Sequence, residues 1–253
     1  MRLLLTNDDG IFSEGLVILA QKLSHIADVT IVAPDRERSA TAHAITMHKP
    51  LRVEKVIIPQ CCANAWKVNG TPSDCVKLAL EALLDFKPDI VLSGINRGSN
   101  LGTDVMYSGT VSAAIEAALS GIPAIAFSVT GYENINFDIP AELAMSLYQQ
   151  IYIKKFPDNS LLNINIPPQN KENLNGVYIT HLGIRKYKNS FDKRIDPRGR
   201  TYYWLGGEVI ENTDDIGSDV WAINNNYISV TPIHFDLTKY DTIDYIKKWN
   251  LKI

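Results

Sequence analysis

The amino-acid sequence predicts an α/β protein: a doubly wound, three-layer sandwich with a mostly parallel central sheet and a protruding C-terminal hairpin. Two observations support this fold class. Short, continuous apolar runs alternate with amphipathic segments over the first 130 residues, which is typical of parallel strands buried on both faces and joined by helices. Residues 185–215 are instead polar and aromatic with few helix signals, which favours an extended excursion from the sheet.

Six segments are predicted to be strands. They are Leu3 to Thr6, Val29 to Ala33, Ile90 to Ser93, Ala124 to Ser128, Leu161 to Ile166 and Tyr227 to Ile233. The first four are short and uniformly apolar, as expected for inner strands of a parallel sheet. The last alternates apolar and polar residues, which indicates a late strand that returns to the body of the protein.

Four helices are predicted between these strands. The first follows Ser13, and the second begins at the capping-box pattern Thr71-Pro72-Ser73-Asp74. The third covers about residues 110–119 and stops at Gly121, and the fourth covers residues 138–152. The predicted buried residues are Leu16, Leu19, Leu23 and Ile26 in the first helix and Val76, Leu80 and Leu83 in the second. With right-handed crossovers, this order of elements gives a Rossmann-like sandwich.

Length and composition predict one domain over residues 1–253, with a core at roughly 1–180 and a C-terminal extension at 181–253 that carries the hairpin. The chain has no 18-residue apolar run, so we expect no membrane partner. A net charge of -3 with interspersed signs argues against a nucleic acid polymer as a partner.

The N-terminus and the cysteines predict a cytoplasmic protein. Met1 and Arg2 enter a strand-like run at once, without the features of a signal peptide. The three cysteines, Cys61, Cys62 and Cys75, are an odd number without CxxC spacing. This pattern fits reduced thiols better than a disulfide framework or a zinc site.

Adjacent acids follow the first strand, in Asn7-Asp8-Asp9-Gly10. Two neighbouring carboxylates repel each other unless something compensates their charge. In an open α/β sheet the carboxyl ends of the strands face the ligand crevice, so a divalent cation is one candidate. The alternative is an ordinary solvated turn, because Asn, Asp and Gly all favour turns for backbone reasons.

Two further polar loops are expected at the same sheet edge. Ser39 follows the second strand, and Asn96 follows the strand that begins at Ile90. Two carboxylates, a hydroxyl and an amide oxygen are hard donors that suit Mg²⁺ or Mn²⁺. The segment Tyr107-Ser108-Gly109-Thr110 then opens the Ala-rich helix. It predicts either a phosphate cradle at a helix N-terminus or an ordinary serine N-cap.

Familiar catalytic motifs are missing from the sequence. It contains no GxxxxGK[ST], GxGxxG after a strand, HExxH or GxSxG, so the corresponding enzyme classes lack their core residues. An aspartyl-phosphate enzyme would need DxD spacing, whereas Asp8 and Asp9 are adjacent. His43 is the best histidine candidate for proton transfer, although a structural role fits it better.

Several motifs together resemble the SurE family, the stationary-phase survival proteins, which are metal-dependent nucleotidases. In the first half of the chain they are Leu5-Thr6-Asn7-Asp8-Asp9-Gly10, Ala33-Pro34-Asp35-Arg36, Val68-Asn69-Gly70-Thr71-Pro72-Ser73-Asp74-Cys75, Ser93-Gly94-Ile95-Asn96 and Tyr107-Ser108-Gly109-Thr110. In the second half they are Asp196-Pro197-Arg198-Gly199, Tyr203-Trp204, Thr213-Asp214, Ser229-Val230-Thr231-Pro232 and Asp236-Leu237-Thr238. The resemblance covers residues 1 to about 238, in the family's order.

The resemblance implies a phosphohydrolase that uses one divalent metal ion per subunit, Mg²⁺ or Mn²⁺, to release phosphate from nucleoside monophosphates and, in some members, short polyphosphate. By position, Asp8, Asp9, Ser39 and Asn96 would be the metal ligands. Ser108, Gly109 and Thr110 would line the phosphate site, and Asn96 would also touch the phosphate. For the mechanism, one of the two acids would take the proton of the attacking water, and Asp8 is the first choice as catalytic base. Family members are dimers or tetramers with an exchanged C-terminal segment, which suits the predicted hairpin.

Four positions depart from the family pattern. Ala40 follows the metal-loop serine where the family usually has Gly, and Glu14 stands where Pro is common. Arg97 and Ser99 replace residues that are often Ala and Pro. None of the four proposed ligands is changed. Two alternative functions for the same pocket stay open. One is a non-catalytic nucleotide sensor, and the other is a general small-molecule phosphatase or exopolyphosphatase.

Overall fold

The computed structural model describes residues 2–133, 135–153, 156 and 160–251, with backbone only at 152 and 153. Met1 and residues 252–253, the ends of the predicted single domain, lie outside the described residues. The expectation drawn from Met1 about a signal peptide therefore also falls outside them. None of the helices in the described ranges has the length and apolar character to cross a bilayer.

Within these ranges the chain forms thirteen strands and six α-helices. The strands are β1 Arg2–Thr6, β2 Asp28–Pro34, β3 Val53–Val56, β4 Asn64–Val68, β5 Ile90–Arg97, β6 Ala124–Val129, β7 Ser160–Ile166, β8 Val177–Ile179, β9 Arg185–Lys188, β10 Phe191–Ile195, β11 Thr201–Leu205, β12 Glu208–Glu211 and β13 Ile228–His234. The helices are α1 Glu14–Leu23, α2 Pro72–Leu78, α3 Gly109–Leu119, α4 Asp138–Ile153, α5 Asp219–Asn224 and α6 Tyr240–Lys247.

Nine strands form the central sheet, in the order β3-β4-β2-β1-β5-β6-β7-β13-β8. The six neighbours from β4 to β7 run parallel. The edge strand β3 is antiparallel to β4, and β13 is antiparallel to β7. The predicted class, a mostly parallel Rossmann-like sandwich, is therefore confirmed.

Helices cover both faces of the sheet. Leu16 and Leu19 of α1 and Ala141 of α4 pack into one apolar core, on one face. Val76 of α2 and Val111 of α3 pack into the second core, on the other face. The connections between parallel strands explain the three layers, because each needs a crossover. The crossover helices α1 and α4 lie on one face and α2 and α3 on the other.

The predicted helices are present, with two differences. α1 ends at Leu23, because the Ser24 hydroxyl donates back to the Ala20 carbonyl at 2.5 Å; Ile26 therefore lies beyond the helix and is 38% exposed. α2 begins with the predicted capping box, in which Thr71 and Asp74 exchange hydrogen bonds. It continues as a π-helical turn over Ala79–Leu83, so Leu80 and Leu83 are only partly buried.

A long hairpin leaves the sheet after β8. β9 pairs with β12 and β10 pairs with β11, both antiparallel, and Asp196 and Arg200 close the tip. We call residues 185–211 the arm. Its strands β10 and β11 are exposed along their whole length, which fits the excursion predicted from the sequence. After the arm, β13 returns to the sheet between β7 and β8.

Candidate metal and phosphate site

The candidate site lies where the winding of the sheet changes direction. The chain proceeds from β1 outward through β2 and β4, then returns to place β5 on the other side of β1. The crevice at such a switch point, beyond the carboxyl ends of the strands, is the usual ligand position in open α/β sheets. Asp8 and Asp9 follow β1, and Asn96 lies near the end of β5.

Asp8 is buried against the beginning of α3. It is 4% exposed and accepts a short hydrogen bond from the Thr110 hydroxyl. Burial raises the pKa of Asp8 to about 6, while the bond from Thr110 opposes the rise and the neighbouring charge of Asp9 adds to it. A carboxylate at the N-terminus of a helix also meets the positive end of the helix dipole.

Gly109 allows this close approach. A Cβ added at Gly109 would lie 2.8 Å from the Cβ of Asp8 and 2.9 Å from its Oδ2. Real side chains do not pack at these distances, so only glycine fits at this position of α3. The bare backbone here packs directly against the Asp8 carboxylate.

Asp9 points toward β5. Its Oδ2 accepts a hydrogen bond from the backbone amide of Arg97 at 3.2 Å. Burial raises the pKa of Asp9, the amide and charge of Arg97 lower it, and the nearby carboxylate of Glu37 raises it further. Glu37 had no assigned role in the sequence, because its proximity to Asp9 arises only when the loop after β2 folds back on β1.

Asn96 and Ser39 differ in burial and in their hydrogen-bond partners. Asn96 is buried, and its Nδ2 donates to the Gly98 carbonyl at 2.9 Å. Ser39 is exposed, and its hydroxyl donates to Glu37 at 2.7 Å. The loop that carries Ser39 is nevertheless fixed to the site, since the amide of Arg38 donates to the Asp8 carbonyl at 2.7 Å.

Ser108 is the N-cap of α3. Its hydroxyl accepts a hydrogen bond from the Val111 amide at 3.1 Å. The Ser108 hydroxyl therefore caps the helix, and its contact with phosphate stays a prediction. Thr110 and the glycine before it are the residues of this motif that contact Asp8.

The donors at this edge fit a hard divalent cation. They are oxygens, and two of them belong to partly or fully buried carboxylates whose pKa values are raised by burial. Positive charge placed between these carboxylates would offset both the desolvation and their mutual repulsion. The described residues hold no cluster of three His, Cys, Asp or Glu side chains, so neutral oxygens, phosphate or water would complete the coordination.

His43 takes part in a contact that the sequence did not reveal. Its Nε2 lies 2.8 Å from Oε2 of Glu116, a buried residue of α3. The His43 hydrogen bond lowers the pKa of Glu116, and Lys77 contributes in the same direction. This hydrogen bond joins the loop of Ser39 to the helix that begins at Gly109, and it gives His43 the structural role that was favoured.

Two departures from the family pattern contact each other. The Arg97 guanidinium lies 3.4 Å from the Glu14 carboxylate, with both side chains largely exposed. Ala40 adopts φ +56, a left-handed conformation that glycine adopts without steric cost. The family's preference for Gly at this position thus has a backbone reason.

Comparisons with known proteins place this geometry in a family. The profile described as "Survival protein SurE" matches residues 3–189. A protein of Heliobacterium modesticaldum named 5'-nucleotidase SurE is 52% identical, over 98% of this chain and 92% of its own length. One from Trichormus variabilis with the same name is 51% identical, over 99% of this chain and 98% of its own length.

A solved structure agrees with the sequence relatives. The crystal structure of the Sure protein from Aquifex aeolicus superposes with a TM-score of 0.86 at 42% identity, covering 99% of this chain and 100% of that one. The resemblance found in the motifs thus extends over nearly the whole chain and its fold. The chain belongs to the SurE family.

Proposed function

We propose that this chain is a divalent-metal-dependent phosphomonoesterase, a 5'-nucleotidase that releases phosphate from nucleoside 5'-monophosphates. We extend the proposal to 3'-monophosphates and short polyphosphate. The observation that carries it is the position of Asp8, buried at the N-terminus of α3 against Thr110 and the bare backbone of Gly109. The names of the relatives, 5'-nucleotidase SurE, supply the substrate class.

Four residues would hold one Mg²⁺ or Mn²⁺ per subunit: Asp8, Asp9, Ser39 and Asn96. When bound, the cation would supply Lewis acidity that neutralises phosphate charge and acidifies a water. Asp8 would accept the proton of the attacking water.

The start of α3 stabilises the transferring group. The backbone amides around Gly109 lie beside Asp8 and would donate to equatorial phosphate oxygens. Thr110 lines the same site, with its hydroxyl donating to the Asp8 carboxylate. Ser108 fixes the helix start as its N-cap. Asn96 binds the phosphate from the β5 side, and the Asp9 carboxylate is held in place by the Arg97 amide.

Phosphate release tests the proposal. AMP, GMP, p-nitrophenyl phosphate and polyphosphate are incubated with the enzyme after EDTA treatment, then again with excess Mg²⁺ or Mn²⁺. We expect no turnover of AMP with EDTA and recovery with a divalent metal. Binding of AMP without phosphate release under every metal would instead support the nucleotide sensor. Equal rates on all monoesters would support a general phosphatase.

We further propose that residues 1–253 form one domain that assembles as a homodimer or homotetramer through the C-terminal extension. Apolar side chains of the arm support this, since Phe191, Trp204 and Leu205 are all more than half exposed. Free thiols at all three cysteines fit a reducing cytoplasm. Light scattering tests the assembly, with a monomer mass as the contrary result.

A further inference from the structure

A groove of about 470 Å³ lies beside the candidate site, along the same edge of the sheet. Its floor comes from the loops that follow three consecutive strands, β5, β6 and β7, with Ser99, Tyr132 and Pro168 among its lining residues. The volume lies in the range of small-molecule sites. The catalytic scheme above uses none of these residues.

The position of the groove matches the reach of a nucleotide. Neighbouring strands are about 4.8 Å apart, so the ends of β6 and β7 lie roughly 5 and 10 Å from the end of β5. Asn96 lies near that end of β5, and its Nδ2 binds the carbonyl of Gly98. The site of a Cβ on Gly98 would be 3.0 Å from the Tyr132 hydroxyl. Gly98 thus lies beside both Asn96 and Tyr132, so Tyr132 is within the reach of a nucleotide whose phosphate is at Asn96.

The charge of the groove wall disfavours a second phosphate. Arg185, whose side chain is 11% exposed, binds Asp104 at 2.7 Å and Glu211 at 3.0 Å. The two charged residues that line the groove, Arg185 and Glu211, are therefore paired with each other, and the wall offers no unpaired cation to an anion. An uncharged ligand with hydrogen-bonding edges fits such a wall better than an anion does.

Flat aromatic surface and free amides complete the groove. The Tyr132 side chain is 75% exposed, and an exposed ring of this kind is a stacking platform for nucleobases. The side-chain amides of Gln169 and Asn226 line the groove without a hydrogen-bond partner among the described residues. These groups are suited to the donor and acceptor edges of a base.

We propose that this groove binds the nucleoside part of the substrate, with the base stacked on Tyr132. The inference rests on the proposed nucleotidase activity and assigns the part of the ligand that the phosphate site does not hold. Tyr132 acts here on substrate affinity and specificity, and it takes no part in phosphate transfer.

The test compares substrates with and without a nucleoside. Tyr132→Ala, Tyr132→Phe and the control Tyr245→Ala, on the exposed side of α6, are assayed with AMP and p-nitrophenyl phosphate. We expect Tyr132→Ala to raise KM for AMP roughly tenfold, the effect of losing one base–aromatic stack, with kcat unchanged. Both parameters for p-nitrophenyl phosphate should stay at wild-type values. Tyr132→Phe keeps the ring and should keep the low KM.

Adenosine binding separates this inference from the proposed function. Saturation-transfer NMR with adenosine needs no turnover, and Tyr132→Ala should abolish its signal. If the wild type hydrolyses nothing yet adenosine binds through Tyr132, the groove assignment stands and the nucleotidase proposal falls. If AMP is hydrolysed while Tyr132→Ala leaves its KM unchanged, or raises KM for both substrates equally, the assignment is overturned. It is also overturned if Tyr132→Ala alters the mass of the assembly.

Discussion

Two regions differ in which side chains they bury: the sheet edge at the ends of β1 and β5, and the arm. At the sheet edge, polar and charged side chains such as Asp8, Asn96 and Thr110 are buried. On the arm, large apolar side chains such as Phe191 and Leu205 are exposed to solvent. Both regions depart from the usual distribution, in which charges are solvated and large apolar groups lie inside.

The two departures indicate different ligands. Buried carboxylates lose hydration, and a cation or a set of hydrogen-bond donors restores what they lose. Exposed apolar groups have no hydrogen bonds to replace, but burying them against another apolar surface is favourable. These two patterns support the proposed cation site at the sheet edge and the proposed assembly through the arm.

The same substitution in the two regions gives the widest contrast in activity. Asp8→Asn removes the proposed base and metal ligand, so kcat for AMP should fall roughly 10²- to 10⁴-fold. Asp192→Asn on the arm breaks an exposed pair with Arg194 and should leave kcat unchanged. Steady-state phosphate release measures both. Full turnover by Asp8→Asn would show that the ligand assignment is wrong.

Metal binding should stabilise the protein through the sheet edge and not through the arm. With Mg²⁺ or Mn²⁺ at 100 times its Kd, the free energy of unfolding should rise by about 2.7 kcal/mol. Thermal denaturation with and without EDTA measures this. Asp9→Asn should abolish the rise, because it removes one carboxylate of the site, whereas Asp192→Asn should retain it. An equal rise in both variants would place the cation elsewhere.

Leucines from the two regions separate assembly from folding. Leu205→Ser changes a side chain that is 76% exposed, so the stability of the monomer should change by less than about 0.5 kcal/mol. The proposed assembly should weaken roughly tenfold or more, from loss of apolar contact. Leu5→Ser, at a fully buried position of β1, should instead unfold the chain. Sedimentation and denaturant titration distinguish the cases, and an unchanged mass for Leu205→Ser would exclude this part of the arm from the interface.

The ion pair of Glu116 should contribute to stability in a pH-dependent way. Because the His43 hydrogen bond lowers the pKa of Glu116, its contribution is present above the ordinary glutamate pKa and is lost as pH falls through the lowered value. Glu116→Gln should therefore cost about 1 kcal/mol at pH 7, with the deficit shrinking in acid. Glu81→Gln, an exposed partner of Lys77, is the control. Equal losses at both sites, independent of pH, would contradict this account.

A backbone change at the sheet edge should have a small effect. Ala40→Gly relieves a left-handed conformation at φ +56 but gives the unfolded chain more freedom, so we expect a net gain of about 0.5 kcal/mol. Ala113→Gly within α3 should cost roughly 1 kcal/mol. Denaturant titration compares the two, and a loss for Ala40→Gly would show that the loop of Ser39 is held by other constraints.

The sequence was sufficient for elements with a strong local pattern. The apolar runs at β1, β2, β5, β6 and β7 and the capping box of α2 are confirmed, since periodicity and end signals decided them. The edge strand β3 and its neighbour β4 were missed. They contain Glu54, Lys55 and Lys67, and pairing with each other and with β2 fixes them as strands.

The candidate site shows the same limit. The motifs of the sequence indicated Asp8, Asp9, Asn96 and Thr110, which the structure places around the end of β1 and β5. Their roles as ligands stay predictions. The influence of Glu37 on Asp9 and the pair of His43 with Glu116 were missed, because partners such as His43 and Glu116, 73 residues apart, leave no local pattern.

The contact between Asp8 and Thr110 joins residues 102 positions apart in the chain. A nascent chain therefore carries both acids long before it carries the helix start that completes their pocket. The proposed metal and phosphate site can therefore form only after β5 and α3 have been synthesised and packed.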